Sequence, residues 1–119
     1  MNANSISEKI HELNEMIVQG NALEAFDKYY ADDVVMRENE EHPTIGKEAN
    51  RRREEEFFHK VTEFRNAEPL NVAVGVGVTM VEWHLDYTHE EWGDRNYRQV
   101  AVQEWQDGKI TRETFYYGS

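Results

Sequence analysis

Three residues that can bind a metal ion or move a proton stand at alternate positions of the sequence: Glu82, His84 and Asp86. In a strand these side chains would share one face. They would then suit a divalent metal, or His84 and Asp86 could act as an acid–base pair. The opposite face would carry Trp83, Leu85 and Tyr87. Because large apolar rings favour a buried face, we interpret the three polar residues as a solvent-facing charged strip and expect no metal.

A second group of polar and aromatic side chains lies on the last two predicted strands, which the dipeptide Asp107-Gly108 joins as a hairpin. A two-residue loop would pair Gln106 with Lys109, whereas a type I turn with a bulge at the glycine would pair Trp105 with Lys109. The two registers differ by one residue, and a shift of one residue moves every side chain of one strand to the opposite face of the sheet. We favour the bulge. It predicts one face made of Tyr97, Gln99, Ala101, Gln103, Glu113, Phe115 and Tyr117.

A glutamate and two glutamines among aromatic rings could bind a flat or partly apolar small molecule. Burial would raise the pKa of the Glu113 carboxyl and bring it toward the range of a general acid or base. In the other register Glu113 would face outward and pair with Arg98 or Arg112. The sequence therefore offers a candidate site whose existence depends on the hairpin register.

Composition narrows the functional classes. The chain has 119 residues and we expect a single domain over 1–119. Its formal net charge of −11 argues against nucleic-acid binding. The absence of cysteine excludes disulfides and cysteine-ligated metal, and it suits a cytoplasmic protein. We find no signal peptide, no membrane-length apolar run and no phosphate loop or nucleophile elbow, so we expect neither a membrane partner nor a cofactor.

The first half of the chain predicts three helices and one strand. An apolar stripe with helical spacing predicts the first helix, which ends near Gly20, and a second helix runs from Ala22 to about Tyr30. A short strand follows at Val34–Met36, and a third helix covers about Lys47–Lys60. Its charged run Arg51–Glu56 fits a solvated helix face with pairs four residues apart. The stripe consists of Ile6, Ile10, Leu13 and Ile17.

From Val61 onward the apolar period changes to two, which predicts strands. Gly75–Gly77 is the expected turn between two of them, and the second runs over Val78–Thr88. Pro69 marks an edge or a bulge because it cannot donate to a sheet. The order is helix, helix, strand, helix and four strands. It predicts an α+β domain with the helices on one face of a strongly curved mixed or antiparallel sheet.

Three short motifs, in this order and spacing, are familiar. Tyr30-Ala31-Asp32-Asp33 precedes the first strand, Ile45-Gly46-Lys47-Glu48-Ala49 opens the third helix, and Asp107-Gly108-Lys109-Ile110 lies near the end. On these motifs the chain resembles the SnoaL-like, ketosteroid-isomerase-like superfamily, also called nuclear-transport-factor-two-like, over about Ser5–Gly118. The resemblance implies a cystatin-like α+β roll, in which three N-terminal helices pack in a cone of curved sheet with a pocket at its open end. It also implies a homodimer, but no particular reaction.

The resemblance can be followed residue by residue. The isomerases carry a carboxylate base just after the first strand, and that position holds Glu38. Their tyrosine donor on the first helix corresponds to Leu13, and their protonated aspartate on the penultimate strand corresponds to about Ala101. Without these two hydrogen-bond donors an enolate would lack its main stabilisation. The resemblance therefore argues against steroid-type isomerisation while leaving a base in place.

Two functional hypotheses follow. The first is a cofactor-free proton-transfer enzyme (an isomerase, cyclase or dehydratase) acting on a hydrophobic or aromatic substrate, with Glu38 as base and Glu113 as its partner. The rival is a non-catalytic ligand-binding or dimerisation module. In both cases we expect a homodimer through the outer sheet face, where Val100 and Val102 would lie. The expected ligand-binding residues are Trp83, Tyr97, Gln99, Gln103, Phe115 and Tyr117.

Overall fold

The computed structural model describes residues 3–118, which form three helices and six strands. Their order confirms the predicted one, apart from the additional two-residue strand β2. Two strands separate α3 from the first two helices, so the description of all three helices as N-terminal was slightly wrong. The elements are α1 (Ala3–Val18), α2 (Ala22–Tyr29), β1 (Tyr30–Glu38), β2 (Thr44–Ile45), α3 (Lys47–Lys60), β3 (Val61–Val74), β4 (Val78–His89), β5 (Gly93–Gln106) and β6 (Lys109–Tyr117).

The strands form one mixed sheet in the order β2-β1-β6-β5-β4-β3. The first long strand, β1, lies parallel to the last, β6, and the other neighbours are antiparallel. The helices pack against one face of this sheet. Helix α1 contributes Ile6, Ile10 and Leu13 to the core, as the apolar stripe predicted, and they are buried together with Val34 and Val81 of the sheet. The α+β architecture expected from the sequence is confirmed.

Irregular pairing curves the sheet. The edge strand β3 pairs with β4 through three register shifts, one of them between Pro69 and Asn71. Such shifts bend a strand and increase its twist. Pro69 therefore marks both an edge and a bulge, as its missing N–H predicted. The turn Gly75–Gly77 follows, with Gly77 at φ 73°.

The hairpin between β5 and β6 has a different turn from the one that we favoured. Gln106 pairs with Lys109 and Trp105 with Ile110, so the loop has two residues and the pairing of Trp105 with Lys109 was wrong. Asp107 and Gly108 have φ values of 52° and 82°, which are typical of a type I′ turn. This turn matches the right-handed twist of the flanking strands, and Asp-Gly tolerates both positive angles.

A bulge lies inside β6 instead, at Thr111. Trp105 pairs with Ile110 and Glu104 pairs with Arg112, so Thr111 is one residue extra in its strand. Beyond it Gln103 lies opposite Glu113, and the pairing continues to Gln99 and Tyr117. The predicted set of side chains therefore shares one face, although the bulge that aligns them is at Thr111 and not at Gly108.

Helix α3 is joined to the sheet through one buried side chain. The Asn50 Nδ2 donates to the carbonyl oxygens of Gly46 at 2.9 Å and Thr44 at 3.0 Å. These contacts fix the start of α3 against β2 and hold its inner side over the concave face. Within residues 3–118 no helix is long and apolar enough to cross a membrane.

The type I′ turn allows a test of the observed register. Gly108→Ala should lower the free energy of unfolding by about 1 kcal/mol, because alanine is strained at a positive φ. Gly118→Ala is the matched control, since its backbone lies outside the left-handed region and no atom is within 4 Å of an added Cβ. Urea unfolding followed by tryptophan fluorescence measures both. Equal stability of the two variants would contradict a type I′ turn.

Candidate functional site

A cavity of about 780 Å³ lies between the concave face of the sheet and the helices. Most of its wall is apolar or aromatic, and Glu38, Glu54 and Glu113 add carboxyl groups to it. A cavity of this volume is in the range that holds small organic molecules. All six side chains that we expected to bind a ligand lie on its wall: Trp83, Tyr97, Gln99, Gln103, Phe115 and Tyr117.

Glu113 is the most deeply buried of these carboxyl groups, with 3% of its surface exposed. The Tyr30 hydroxyl donates to its Oε1. The Gln103 Nε2 donates to its Oε2 at 2.7 Å. The carboxyl is thus fixed on the concave face by one residue from the first strand and one from the fifth.

The hydrogen bonds behind Glu113 run in one direction. The Trp105 indole N–H donates to the Thr79 Oγ1 at 2.9 Å, and the Thr79 hydroxyl donates to the Gln103 Oε1 at 2.7 Å. An indole N–H can only donate, so the Thr79 oxygen accepts from it, and the Thr79 hydroxyl hydrogen is used for the bond to Gln103. With its oxygen turned to Thr79, the amide of Gln103 presents its NH₂ group to Glu113.

Burial raises the pKa of the Glu113 carboxyl to about 7, although the hydrogen bonds from Tyr30 and Gln103 oppose the shift. Burial, followed by the neighbouring Glu113 carboxylate, also raises the pKa of the Tyr30 phenol well above its usual value. Tyr30 therefore stays protonated at neutral pH, while Glu113 is close to half ionised.

Glu54 of α3 is a second carboxyl group on the cavity wall. Burial, and after it the charge of Glu113, raises the pKa of Glu54 to about 7. Within the part of the chain that the structure describes, no side chain forms a hydrogen bond or an ion pair with it. Glu54 is partly accessible, so its carboxylate can reach a molecule in the cavity.

The sequence interpretation missed Glu54 because it placed the whole run Arg51–Glu56 on a solvated helix face. Arg51 does pair with Glu55, at 3.2 Å, as expected. Arg52 pairs with Glu48 and not with Glu56. The available signal was the spacing of Glu54 four residues after Asn50 and three before Phe57, both of which also line the cavity.

Glu38 lies on the cavity wall at the end of β1. Its Oε2 accepts from the Arg53 guanidinium at 2.9 Å, and its Oε1 accepts from the Tyr117 hydroxyl at 2.9 Å. Burial and the Glu38 carboxylate raise the pKa of the Tyr117 phenol to about 12. Both oxygens of Glu38 are thus engaged, which distinguishes it from Glu54.

The two positions that correspond to the isomerase donors, Leu13 and Ala101, are apolar parts of the cavity wall. The Tyr30 hydroxyl is a phenol donor that sequence reasoning did not identify. It comes from the junction of α2 and β1 and not from the first helix. It points to a carboxyl group, so it stabilises Glu113 directly.

The charged strip of β4 makes contacts typical of a polar sheet surface. Glu82 accepts from Asn71 at 2.7 Å, and Asp86 accepts from Arg65 at 2.9 Å. The His84 ring bonds to two asparagine side chains. Among residues 3–118 no group of three His, Cys, Asp or Glu side chains is arranged to hold a metal ion.

The fold and the cavity agree with the comparison to protein families. The chain belongs to the SnoaL-like domain family, whose sequence profile matches residues 10–113. No curated protein gives a significant match.

Solved structures extend this result. A SnoaL-like protein from Mesorhizobium loti, whose name proposes a polyketide cyclase, is 28% identical with a TM-score of 0.86, covering 94% of this chain and 98% of its own. A nuclear-transport-factor-two-like protein from Burkholderia xenovorans is 18% identical with a TM-score of 0.80, and the match covers 100% of this chain and 87% of that protein. An epoxide hydrolase from Mycobacterium tuberculosis is 13% identical with a TM-score of 0.78, and the match covers 98% of this chain and 84% of that protein. At these identities the last two show the fold alone.

The pKa of Glu113 predicts how stability depends on pH. The carboxyl has a pKa of about 7 when folded and 4.5 in its ordinary state, so the folded protein binds this proton more tightly. The free energy of unfolding should therefore fall as pH rises from about 4.5 to about 7, with a slope of up to ~1.4 kcal/mol per pH unit from this group. Glu113→Gln should remove that contribution and be more stable than the wild type at pH 8.

Urea unfolding at a series of pH values from 5 to 8 measures the effect. The glutamine oxygen can accept from Gln103, and its NH₂ group can donate to the Tyr30 oxygen once the Tyr30 hydroxyl turns away. Glu104→Gln is the control on the neighbouring strand, because Glu104 is exposed and lies 3.7 Å from Arg112. A pH slope that is the same in Glu113→Gln and the wild type would contradict the raised pKa of Glu113.

Proposed function

We propose that the protein binds a hydrophobic or aromatic small molecule in the cavity and catalyses a proton transfer on it with its own side chains, in an isomerisation, cyclisation or dehydration. The observation that carries the proposal is the pair Glu54 and Glu113. Both carboxyl groups line one cavity, and the pKa of each is raised to about 7. A group with a pKa close to the working pH is the most effective general acid or base.

The pair divides naturally into two roles. Glu54 acts as the base, because its carboxylate is free of hydrogen bonds from the described residues and is accessible from the cavity. Glu113 acts as its partner and carries a proton beside Tyr30. Two nearby carboxyl groups that repel each other's charge favour a state with one proton between them. One group can then accept a proton while the other donates.

Glu38 takes a positioning role in this proposal. We expected it to be the base, but its two oxygens already accept from Arg53 and Tyr117. These contacts hold the carboxylate in place between Arg53 and Tyr117, whereas the carboxylate of Glu54 has no such partner among the described residues. The group of three polar side chains instead forms a polar region on the cavity wall that can orient a substrate.

The similarity to the Mesorhizobium loti protein supports a cyclisation within this class of reactions. The rival function is a non-catalytic ligand-binding module of the same fold. It is supported by the cavity itself, since a volume of about 780 Å³ holds a ligand whether or not Glu54 reacts with it.

A generic substrate tests the base. In 5-nitrobenzisoxazole a base removes the ring C–H proton while the N–O bond breaks, giving a coloured phenolate without any cofactor. The protein should accelerate this elimination, with a rate that rises with pH around 7 as Glu54 ionises. Glu54→Gln should lower kcat/KM by about 100-fold, which is typical of losing a general base. Absorbance of the phenolate measures the rate.

Two variants make this test specific. Glu55→Gln is the matched control, because Glu55 is the next residue of α3, is exposed and pairs with Arg51. It should keep the wild-type rate. Glu113→Gln should move the pH midpoint downward, since the Glu113 charge raises the pKa of Glu54. A Glu54→Gln variant as active as the wild type, or a wild type no faster than acetate buffer, would leave the non-catalytic module as the better account.

We also propose that two copies of the chain associate through the outer face of the sheet, and that the protein works in the cytoplasm, which its lack of cysteine suits. Met80, Val100 and Tyr116 are exposed there, and Val100 lies directly opposite Tyr116 across the strands. Neighbouring exposed apolar side chains favour an association surface.

The dimer is tested by sedimentation. The wild type should have twice the 14.1 kDa mass of the chain, and Val100→Glu should convert it to the monomer because a charge would be buried in the interface. Val76→Glu is the control, since Val76 lies in the turn between β3 and β4 and is 87% exposed. A wild type that sediments as a monomer at micromolar concentration would rule out this interface.

A further inference from the structure

Arg95 is a partly buried arginine that lacks a carboxylate partner. It lies near the start of β5 and contributes to the cavity wall. Within residues 3–118 no hydrogen bond or ion pair is formed by its guanidinium. By contrast, Arg53 and Arg65 have carboxylate oxygens at 2.9 Å. In a chain with 24 acidic and 13 basic residues, such a free cation in a cavity calls for an explanation.

The guanidinium of Arg95 is nevertheless held in place. Its Cζ lies 4.8 Å from the centre of the Tyr97 ring, a distance at which a cation is attracted to the ring face. Its Nε is buried and has no hydrogen-bond partner among the described residues. A buried donor without an acceptor is unfavourable. A ligand with an anionic group would supply the missing acceptor.

Aromatic rings surround this position. Tyr87 lies opposite Arg95 on the neighbouring strand, and its hydroxyl bonds to that of Tyr97 at 2.8 Å. Phe57 packs edge-on against Tyr87 with 5.3 Å between ring centres, and the Phe64 ring is stacked with Tyr87 at 6.5 Å. The surface beside the guanidinium is thus apolar and suits the flat body of an organic anion better than a hydrated inorganic ion.

The strand sets the length of such a ligand. Gln103, which holds Glu113, follows Arg95 by eight residues in β5. That separation is at most about 26 Å along an extended strand. The curvature of the sheet and the reach of both side chains make the gap that the ligand spans shorter than this. The cavity volume of about 780 Å³ accommodates a molecule of this length.

We propose that Arg95 binds a carboxylate at one end of the ligand, and that the natural ligand is therefore an elongated, mainly apolar or aromatic monocarboxylate whose far end lies beside Glu113. This inference deepens the proposed function and rests on its ligand-binding part, because it names the chemical class that the cavity accepts. A bidentate arginine–carboxylate pair fixes orientation as well as position. Arg95 would thus present the apolar end of the ligand to the reacting groups.

The test compares two fluorescent probes of similar shape, 1-pyrenebutyrate and 1-pyrenebutanol, by fluorescence anisotropy at constant ionic strength. The wild type should bind the carboxylate about tenfold more tightly than the alcohol, which is typical of a charged hydrogen bond. Arg95→Gln should bind the two probes equally. Arg98→Gln is the matched control on the same strand, because Arg98 faces outward and its side chain is 72% exposed. It should keep the preference of the wild type.

Three results would overturn the proposal: equal binding of the two probes by the wild type, a carboxylate preference that persists in Arg95→Gln, and no binding of 1-pyrenebutyrate at all. If circular dichroism shows that Arg95→Gln does not fold, Arg95→Lys takes its place. Lysine keeps the charge but lacks the planar fork, so the preference should fall about threefold. An unchanged preference in Arg95→Lys would then count against the site.

The carboxylate site at Arg95 and the catalytic role of Glu54 can be disproved independently of each other. If the wild type prefers the carboxylate probe but does not cleave 5-nitrobenzisoxazole, the Arg95 site is supported and the catalytic proposal is contradicted. If the elimination depends on Glu54 but the wild type shows no preference for the carboxylate probe, the catalytic proposal is supported and the Arg95 site is contradicted. The elimination substrate is uncharged, so its reaction does not depend on recognition of an anion.

Discussion

The extra residue in β6 determines which side chains meet inside this protein. Side chains of a regular strand alternate between faces, so Ile110 and Glu113, three residues apart, would lie on opposite sides of the sheet. The bulge at Thr111 allows both to be buried on the concave face, where Ile110 meets Trp105 and Glu113 meets Gln103. The first of these contacts belongs to the core and the second to the cavity. The role proposed for Glu113 depends on the second, because without the bulge its side chain would lie on the opposite face of the sheet.

Patterns that repeat along the chain predicted most of the fold. The stripe from Ile6 to Ile17 and the alternation after Val61 are set by burial on one face, which a sequence shows directly. The hairpin was predicted by Asp107-Gly108, yet its register was not, because a type I′ turn and a type I turn with a bulge both accept that dipeptide. The choice depends on packing beyond the turn itself, at Ile110 and Glu113. The predicted face was nevertheless correct. A bulge at Gly108 and a bulge at Thr111 each add one residue before Glu113, so both place Glu113, Phe115 and Tyr117 on the same face as Gln103.

The candidate site was only partly predictable for a related reason. Glu113, Gln103 and the aromatic residues share a strand face, so one argument about alternation finds them together. Glu54 reaches the cavity from α3, so its position depends on how that helix packs across the sheet, and Tyr30 reaches it from the junction of α2 and β1. Local sequence even favoured the opposite conclusion for Glu54, because it sits among five charged neighbours at Arg51–Glu56. Arg95 was overlooked since an arginine near a strand end is usually solvated, and only the three-dimensional surroundings show that it has no partner.

The one-directional chain that begins at the Trp105 indole also restricts where Glu113 can hold its proton. Oε1 accepts from the Tyr30 hydroxyl and Oε2 accepts from the Gln103 amide, so both oxygens are held in place and a proton can bind only at the lone pairs that these two contacts leave. A proton held on one oxygen approaches a bound molecule from one direction. A planar intermediate kept in a single orientation would be protonated on one face only, and a carbon made tetrahedral in that step would have one handedness. The stereochemistry of the product would then be set by Tyr30 and Gln103, the two residues that hold the carboxyl group.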